Sequence, residues 1–412
     1  MPPSLPRIGA AYSPLYFLAA LGNGGLAVAF FMMLLFWVPH PGRPVPVHED
    51  IVAAFAGGGP AMQIMIAVAM AGIAIFAAQH IRYLVWNLRS YAAWIDSAEA
   101  AKLGASNAET QKLALPLALA MGINVGFVLG LVFVPGLWRV VEYLFPAALL
   151  AFLAVGALAL RQIGDFLGRV LVRGGGFSHA ANNSYAQLLP AFALSMIGVG
   201  LAAPVAMSAS PTVAGLAMVL STFFLVAAAL YGLVALILGV HAMMEHGAAE
   251  EAAPTLMIVI PILTVLGILT LRQQHGLHIH FGVDTAPGET LAFLGMLLSV
   301  QVLFGLLGLL VLRRQGYVGK YLGAGQKSPG SYALICPGVA LSVMLHFFTN
   351  KGLVAAGVIG RFGVAYWVSS GLAVAFMLAT IGLLLWLNRQ HFGTREPAGP
   401  RVTPDPAVPY QR

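Results

Sequence analysis

Charge is scarce in this chain. Only 8% of its 412 residues are Asp, Glu, Lys or Arg, against roughly 25% in a soluble domain, while 59% are hydrophobic and the mean hydropathy is +0.87. An ordinary soluble fold is excluded. Cysteine is almost missing: Cys336 stands alone, which rules out an intrachain disulfide framework and any Cys-rich zinc or iron–sulfur site. The weak alternating segments of a membrane β-barrel do not appear either. What is present instead is a series of apolar runs longer than ~18 residues, separated by short polar stretches, as in a polytopic α-helical membrane protein.

Windows close to the ~20 residues needed to cross the hydrocarbon layer fall at about 13–38, 61–86, 113–134, 137–160, 185–207, 211–240, 254–271, 288–312, 331–350 and 364–388. Ten spans return both termini to one side. The loops on that side, with the termini, hold Arg7, Arg82, Arg89, Lys102, Lys112, Arg161, Arg169, Arg173, Arg313, Arg314, Lys320, Lys327, Arg389, Arg395, Arg401 and Arg412; the other side holds Arg43, Arg139, Arg272, Lys351 and Arg361. An asymmetry of 16 to 5 places the termini in the cytoplasm of a cell inner (plasma) membrane. The net charge of +7 is thereby a matter of topology, and no nucleic-acid partner is expected. The chain divides into a short cytoplasmic N-terminus (1–12), a ten-helix domain (13–388) embedded in the lipid bilayer, and a Pro-rich, disordered cytoplasmic tail (389–412). The first span is too long for a signal-peptide core and is read as retained.

Four odd-numbered spans carry a proline in their cytoplasmic half: Pro116, Pro190, Pro261 and Pro337, separated by 74, 71 and 76 residues. So regular a period suggests one helical hairpin used five times. The first span has Gly22-Asn23-Gly24-Gly25 instead, another way to bend a helix. A proline inside a helix frees a carbonyl that lipid cannot satisfy, so the odd helices are expected inside, around a central pore. The even spans, richer in Leu, Phe and Val, are expected to meet lipid.

No acidic residue falls in an odd span, which argues against a cation or proton pathway. The polar groups there are small and neutral: Asn23, Asn124, Ser195, Thr255, Thr264 and Ser342. Such groups can hold a partly dehydrated anion without trapping it. Arg82, Arg139, Arg272 and Arg361 fall near span ends, as collectors of anions or as interfacial anchors. With no cation placed inside an odd helix, a channel or low-affinity transporter is favoured over a tight carrier.

Other motifs are weaker. His275, His278, His280 and Asp284 read as a solvated external loop rather than a metal site. His80 and His241, on even spans, are loose candidates for the paired ligands of a haem-binding membrane anchor subunit. Gly319 to Ser328 nearly spells a phosphate-binding loop, but Gln326 separates its last glycine from Lys327 and no strand precedes it. Gly174-Gly175-Gly176 reads as a flexible turn, and the segment from Ser90 to Gln111 as a short surface helix. The chain is expected to be no enzyme and to need no cofactor or metal.

Three segments carry a family resemblance: Ser13-Pro14-Leu15-Tyr16-Phe17 leading into Gly22-Asn23-Gly24-Gly25; Ala253-Pro254-Thr255-Leu256-Met257-Ile258-Val259-Ile260-Pro261; and Tyr332-Ala333-Leu334-Ile335-Cys336-Pro337-Gly338. In these, and in the order of ten spans, the chain resembles the tellurite-resistance and dicarboxylate transporter (TDT) family, which includes bacterial tellurite-resistance proteins and plant slow-type anion channels. The resemblance implies five hairpins around a pore lined by odd helices, a homotrimer with one pore per subunit, and passage of small inorganic anions or small organic acids. It further implies a pore-plugging phenylalanine just before the proline of the ninth span, where this chain has Cys336. Phe127 and Phe192 are candidates to close the pore in its place. Residues expected to line or shape the path are Gly22, Asn23, Pro116, Asn124, Pro190, Ser195, Pro261, Thr264, Cys336 and Pro337. A proton-coupled dicarboxylate or sulfite carrier is the alternative of the same class.

Overall fold

A computed structural model describes residues 5, 9–173, 177–323 and 325–393. Among the described residues there is no strand. Ten helical segments are long and apolar enough to cross a membrane: α1 (Pro14–Trp37), α2 (Pro60–Trp94), α3 (Asn107–Phe133), α4 (Leu137–Val172), α5 (Ala186–Met207), α6 (Pro211–His246), α7 (Ala253–Phe281), α8 (Pro287–Arg314), α9 (Pro329–Val354) and α10 (Val364–Phe392). Each coincides with an apolar window of the sequence, but several run on past it. Helix α10 continues to Phe392, so residues 389–393 do not belong to a disordered tail; His391 there meets the Tyr16 hydroxyl at 3.2 Å. The rest of the expected tail, the Gly174–Gly176 turn and most of the expected N-terminal segment lie outside the described residues.

Burial separates the ten helices into two groups. In the most apolar stretch of α1, α3, α5, α7 and α9, 50–100% of the residues are buried, against 17–33% in the even helices. The five buried helices pack in sequence, α1 on α3, α3 on α5, α5 on α7, α7 on α9 and α9 back on α1, closing a ring. Each even helix lies against the odd helix that precedes it. The even helices leave large apolar side chains uncovered, among them Leu150, Leu230, Leu303 and Leu385. In water such surfaces would be a liability; in hydrocarbon they cost nothing.

Small residues let the two layers approach. A Cβ on Gly200 of α5 would strike the Phe152 ring of α4, and one on Gly276 of α7 would strike the backbone at Val205. Between α7, α8 and α9 a polar stitch replaces close packing: Gln301 of α8 donates to the Ile260 carbonyl (3.0 Å) and the Thr264 hydroxyl (2.7 Å), and Thr264 Oγ1 lies 3.2 Å from the Ala340 carbonyl.

The prolines act differently from the expectation. Pro116, Pro261 and Pro337 are the third residues, and Pro190 the second, of α-helical stretches beginning at Ala114, Val259, Ile335 and Leu189. Each follows a tighter 3-10 segment: Asn107–Leu113, Ala253–Met257, Pro329–Leu334 and Ala186–Leu188. In a first helical turn the missing N–H has no intrahelical partner to lose, and the fixed φ suits the helix. These prolines therefore start α-helices rather than kinking them. Helix α1 enters in the same manner, through Pro14–Tyr16.

Between α1 and α2, a short helix (His48–Gly57) packs against α2 and α3. Buried Asp50 pairs with Arg43 and accepts the Val47 N–H (3.1 Å), and Glu49 accepts the Gly136 N–H at 2.6 Å. That last bond holds the Glu49 carboxyl below its ordinary value of 4.5. A carboxylate whose pKa falls on folding stabilises the folded form above its unfolded value and loses that contribution as pH drops through the folded value. Protection of residues 38–59 from hydrogen exchange, corrected for the intrinsic exchange rate, is accordingly expected to fall as pH is lowered below the ordinary carboxylate range, and Glu49→Gln to flatten that dependence.

Candidate functional site

The helix ring encloses a cavity of about 770 Å³. Its wall is drawn mostly from α1, α3, α5, α7 and α9; the even helices contribute Phe152 of α4 and, at the start of α8, Pro287 and Thr290. Counting from the N-terminus of each inner helix, the first lining residues are Leu21, Met121, Phe192, Pro261 and Cys336. No described residue N-terminal to these lines it, so they form a floor. From there the wall runs up the C-terminal halves of the inner helices to a mouth bounded by His40, Asp284, Ala355 and Arg361.

Most of the wall is apolar. Phe31, Met32, Phe127, Val128, Met196, Val265 and Phe347 give it bulk. Phe192 at the floor is 3% exposed and Cys336 9%. Beside Cys336, Ile335 packs so closely on Gly22 that a Cβ there would overlap it.

The structure brings some of the expected path residues together and turns others away. Gly22, Asn124, Pro261, Thr264 and Cys336 line the cavity, as do Phe127 and Phe192. Asn23 does not: its side chain is buried and donates to the Ala19 carbonyl at 2.8 Å. Ser195 donates to the Phe192 carbonyl at 2.8 Å, and Thr255 to that of Ala252 at 2.6 Å. Ser342 is fully buried outside the wall. A hydroxyl or amide in an apolar helix bonds its own preceding turn when no other partner is offered, which is why residue type alone overstates the polar lining. Pro116, Pro190 and Pro337 are buried beside the wall and act through the helix starts described above.

Two further corrections change the chemistry. Helix α7 does not end near residue 271; it continues to Phe281 and stops at Gly282, whose left-handed conformation (φ 67°) is the usual cap that glycine permits. His275, His278 and His280 are therefore helical, not in a loop. His280 donates to the Ser208 carbonyl (3.0 Å), His278 pairs with Asp284 (2.6 Å), and among the described residues no three His, Cys, Asp or Glu side chains converge as a metal set. Helix α9 likewise runs beyond residue 350, through a π-helical stretch, Phe348–Val354.

These extensions place Arg272 and Lys351 within inner helices, on the cavity wall. The expectation that no cation lies inside an odd helix is overturned. Arg361 and the rings of His40, His275 and His278 join them, and Asp284 is the single carboxylate. Of the other two arginines near span ends, neither Arg82 nor Arg139 lines the cavity. Apolar length alone puts both Arg272 and Lys351 in loops; for Lys351 the one contrary signal in the sequence is an apolar run resuming directly after it.

His80 is also displaced from its expected place. It turns inward from α2, buried, and donates to the Ala20 carbonyl at 2.8 Å between Gly24 and Gly122. His241 is exposed, 3.8 Å from Glu245. A haem would need both rings to present a nitrogen from facing helices at one depth. One ring is wedged into the helix packing and the other points out of it.

No family model matches this chain, and no curated protein matches it.

Proposed function

We propose that this protein is a membrane channel or transporter for small anions, and that the path runs through the cavity inside the helix ring. One observation carries the reading: three of the four fully charged side chains on the wall are Arg272, Lys351 and Arg361, and the fourth, Asp284, is engaged by His278. A confined, low-dielectric space lined by one sign of charge concentrates the opposite ion. The resemblance to the tellurite-resistance and dicarboxylate transporter family points the same way. On the orientation favoured by the distribution of Lys and Arg, the mouth is external and the floor cytoplasmic. Passage then requires the floor to open, and Met121, Phe192 and Cys336 are the side chains that obstruct it.

The test is flux. Purified protein in liposomes is expected to pass chloride, nitrate or small carboxylates down their gradients, faster than empty vesicles and without a proton requirement. Strict dependence on a proton gradient would instead establish the coupled carrier, a reading to which Arg272 and Lys351 lend weight because they can hold an anion in place. Cys336→Phe puts a ring where the floor is already closed and is expected to lower flux at least about threefold, with about 1–3 kcal/mol of overpacking. Equal flux in the two proteins would remove Cys336 from the obstruction.

A further inference from the structure

We infer that Arg272 and Lys351 form a discrete binding site for an oxyanion, one that presents two coplanar oxygens to the guanidinium and is distinguished by it from a halide. The inference takes its location from the reading of the cavity as an anion path, but the site is defined by its own geometry.

Arg272 is not simply a surface charge. Helix α5 is interrupted: its main stretch ends at Leu201 and a short one resumes at Ala203. Carbonyls in the last turn of a helix lack intrahelical donors, and Arg272 Nη1 donates to one of them, Val199 O, at 2.7 Å. That bond fixes the guanidinium and uses one of its five N–H groups. Among the described residues it has no other hydrogen-bond partner and no carboxylate within ion-pair distance. A capping arginine needs only the bond it makes. Four remaining donors on a group held at the wall of a mostly apolar cavity call for an acceptor from outside the chain.

Lys351 supplies the second charge. It lies in the π-helical stretch of α9, a helical irregularity frequent at functional sites. The stretch is pinned on its far side: Thr349 Oγ1 meets Ser369 Oγ at 2.5 Å, and Asn350 accepts the Tyr366 hydroxyl at 3.0 Å, which in turn accepts from Trp37 Nε1. Lys351 itself has no polar partner among the described residues. The two cations stand at similar heights on neighbouring helices. Thr264 and Ala340 mark a common level by their 3.2 Å contact; Arg272 follows Thr264 by eight residues and Lys351 follows Ala340 by eleven, or about 12 and about 16 Å along the helices at ~1.5 Å per residue, within about one helical turn of each other.

The two groups ask for different things. A guanidinium offers parallel N–H groups that match a pair of coplanar oxygens, whereas an ammonium acts as a point charge. Arg361 differs in its surroundings: it also bonds a backbone carbonyl, that of Phe36 (2.7 Å), but it is exposed at the mouth, where water meets its remaining donors, and it lies over the Phe362 ring (4.8 Å). Carboxylates and nitrate share the required oxygens; chloride does not.

Binding is measured on the full chain in detergent, by the rise in unfolding temperature on titrating sodium acetate, sodium nitrate or sodium chloride at matched ionic strength. Acetate and nitrate are expected to give saturable stabilisation that chloride does not, since a ligand that binds only the folded form stabilises it by mass action. A response to acetate alone assigns the site to carboxylates, and one to nitrate as well assigns it to planar oxyanions generally. Arg272→Lys keeps a donor for Val199 and the positive charge, yet is expected to raise the half-saturating concentration about tenfold or more, because the fork is lost. Lys351→Gln, which leaves the Val199 cap alone, is expected to raise it about threefold or more. Equal responses to chloride and acetate in the unaltered protein, or saturation unchanged in both variants, would overturn the site. Saturable binding in detergent with no flux in vesicles would leave the site standing and remove the transport reading; flux without saturable binding would do the reverse.

Discussion

Phe192→Ala is expected to raise anion flux through reconstituted protein about tenfold or more, because it removes an apolar obstruction worth at least ~1.4 kcal/mol to a passing ion. Phe192 is the first residue of α5 to line the cavity, is 3% exposed, and shares the floor with Met121 and Cys336. Truncation to alanine opens the floor and costs about 3–5 kcal/mol of packing, so the variant should unfold at a lower temperature while conducting faster. The two effects together are diagnostic. A floor that stays shut by other means would give the stability loss with unchanged flux, and the assignment of Phe192 would then be wrong.

The second large effect concerns stability and reaches the site indirectly. Gly276→Leu is expected to destabilise the protein by about 3 kcal/mol or more, seen as loss of folded protein after purification or a large drop in unfolding temperature. A Cβ at Gly276 would meet the carbonyl oxygen and carbonyl carbon of Val205. Backbone cannot rotate away as a side chain can, so α7 must part from the short stretch that ends α5. Gly276 is one turn beyond Arg272, and the displacement would also stretch the Arg272–Val199 bond. Gly295→Ala on α8, whose added Cβ would meet only the Phe348 ring at an ordinary 3.9 Å, is the control and should not destabilise the protein, alanine being the better helix former by up to about 1 kcal/mol. Equal tolerance of both changes would mean that α5 and α7 are not held at this distance.

Apolar length located every one of the ten helices, because hydrocarbon thickness fixes how many residues a span needs. The contrast between Leu-rich even spans and odd spans carrying Gly and Pro ranked them correctly by burial. Helix ends fared worse. Residues 272–281 and 351–354 carry cations and histidines that end an apolar window without ending a helix, so apolar length alone puts Arg272 and Lys351 in loops. Hydropathy registers the cost of a charge in lipid, yet both side chains face the enclosed cavity, where that cost is much smaller.

The sequence by itself therefore determined that ten helices are long and apolar enough to cross a membrane, and which five are buried among the others, since both follow from side-chain composition summed over many residues. Only the tertiary structure decided which polar groups reach the cavity. That depends on the rotation of each helix and on a few local partners: the Ala19 carbonyl that takes Asn23 out of the wall, and the open Val199 carbonyl, at a break in a different helix, that keeps Arg272 in it.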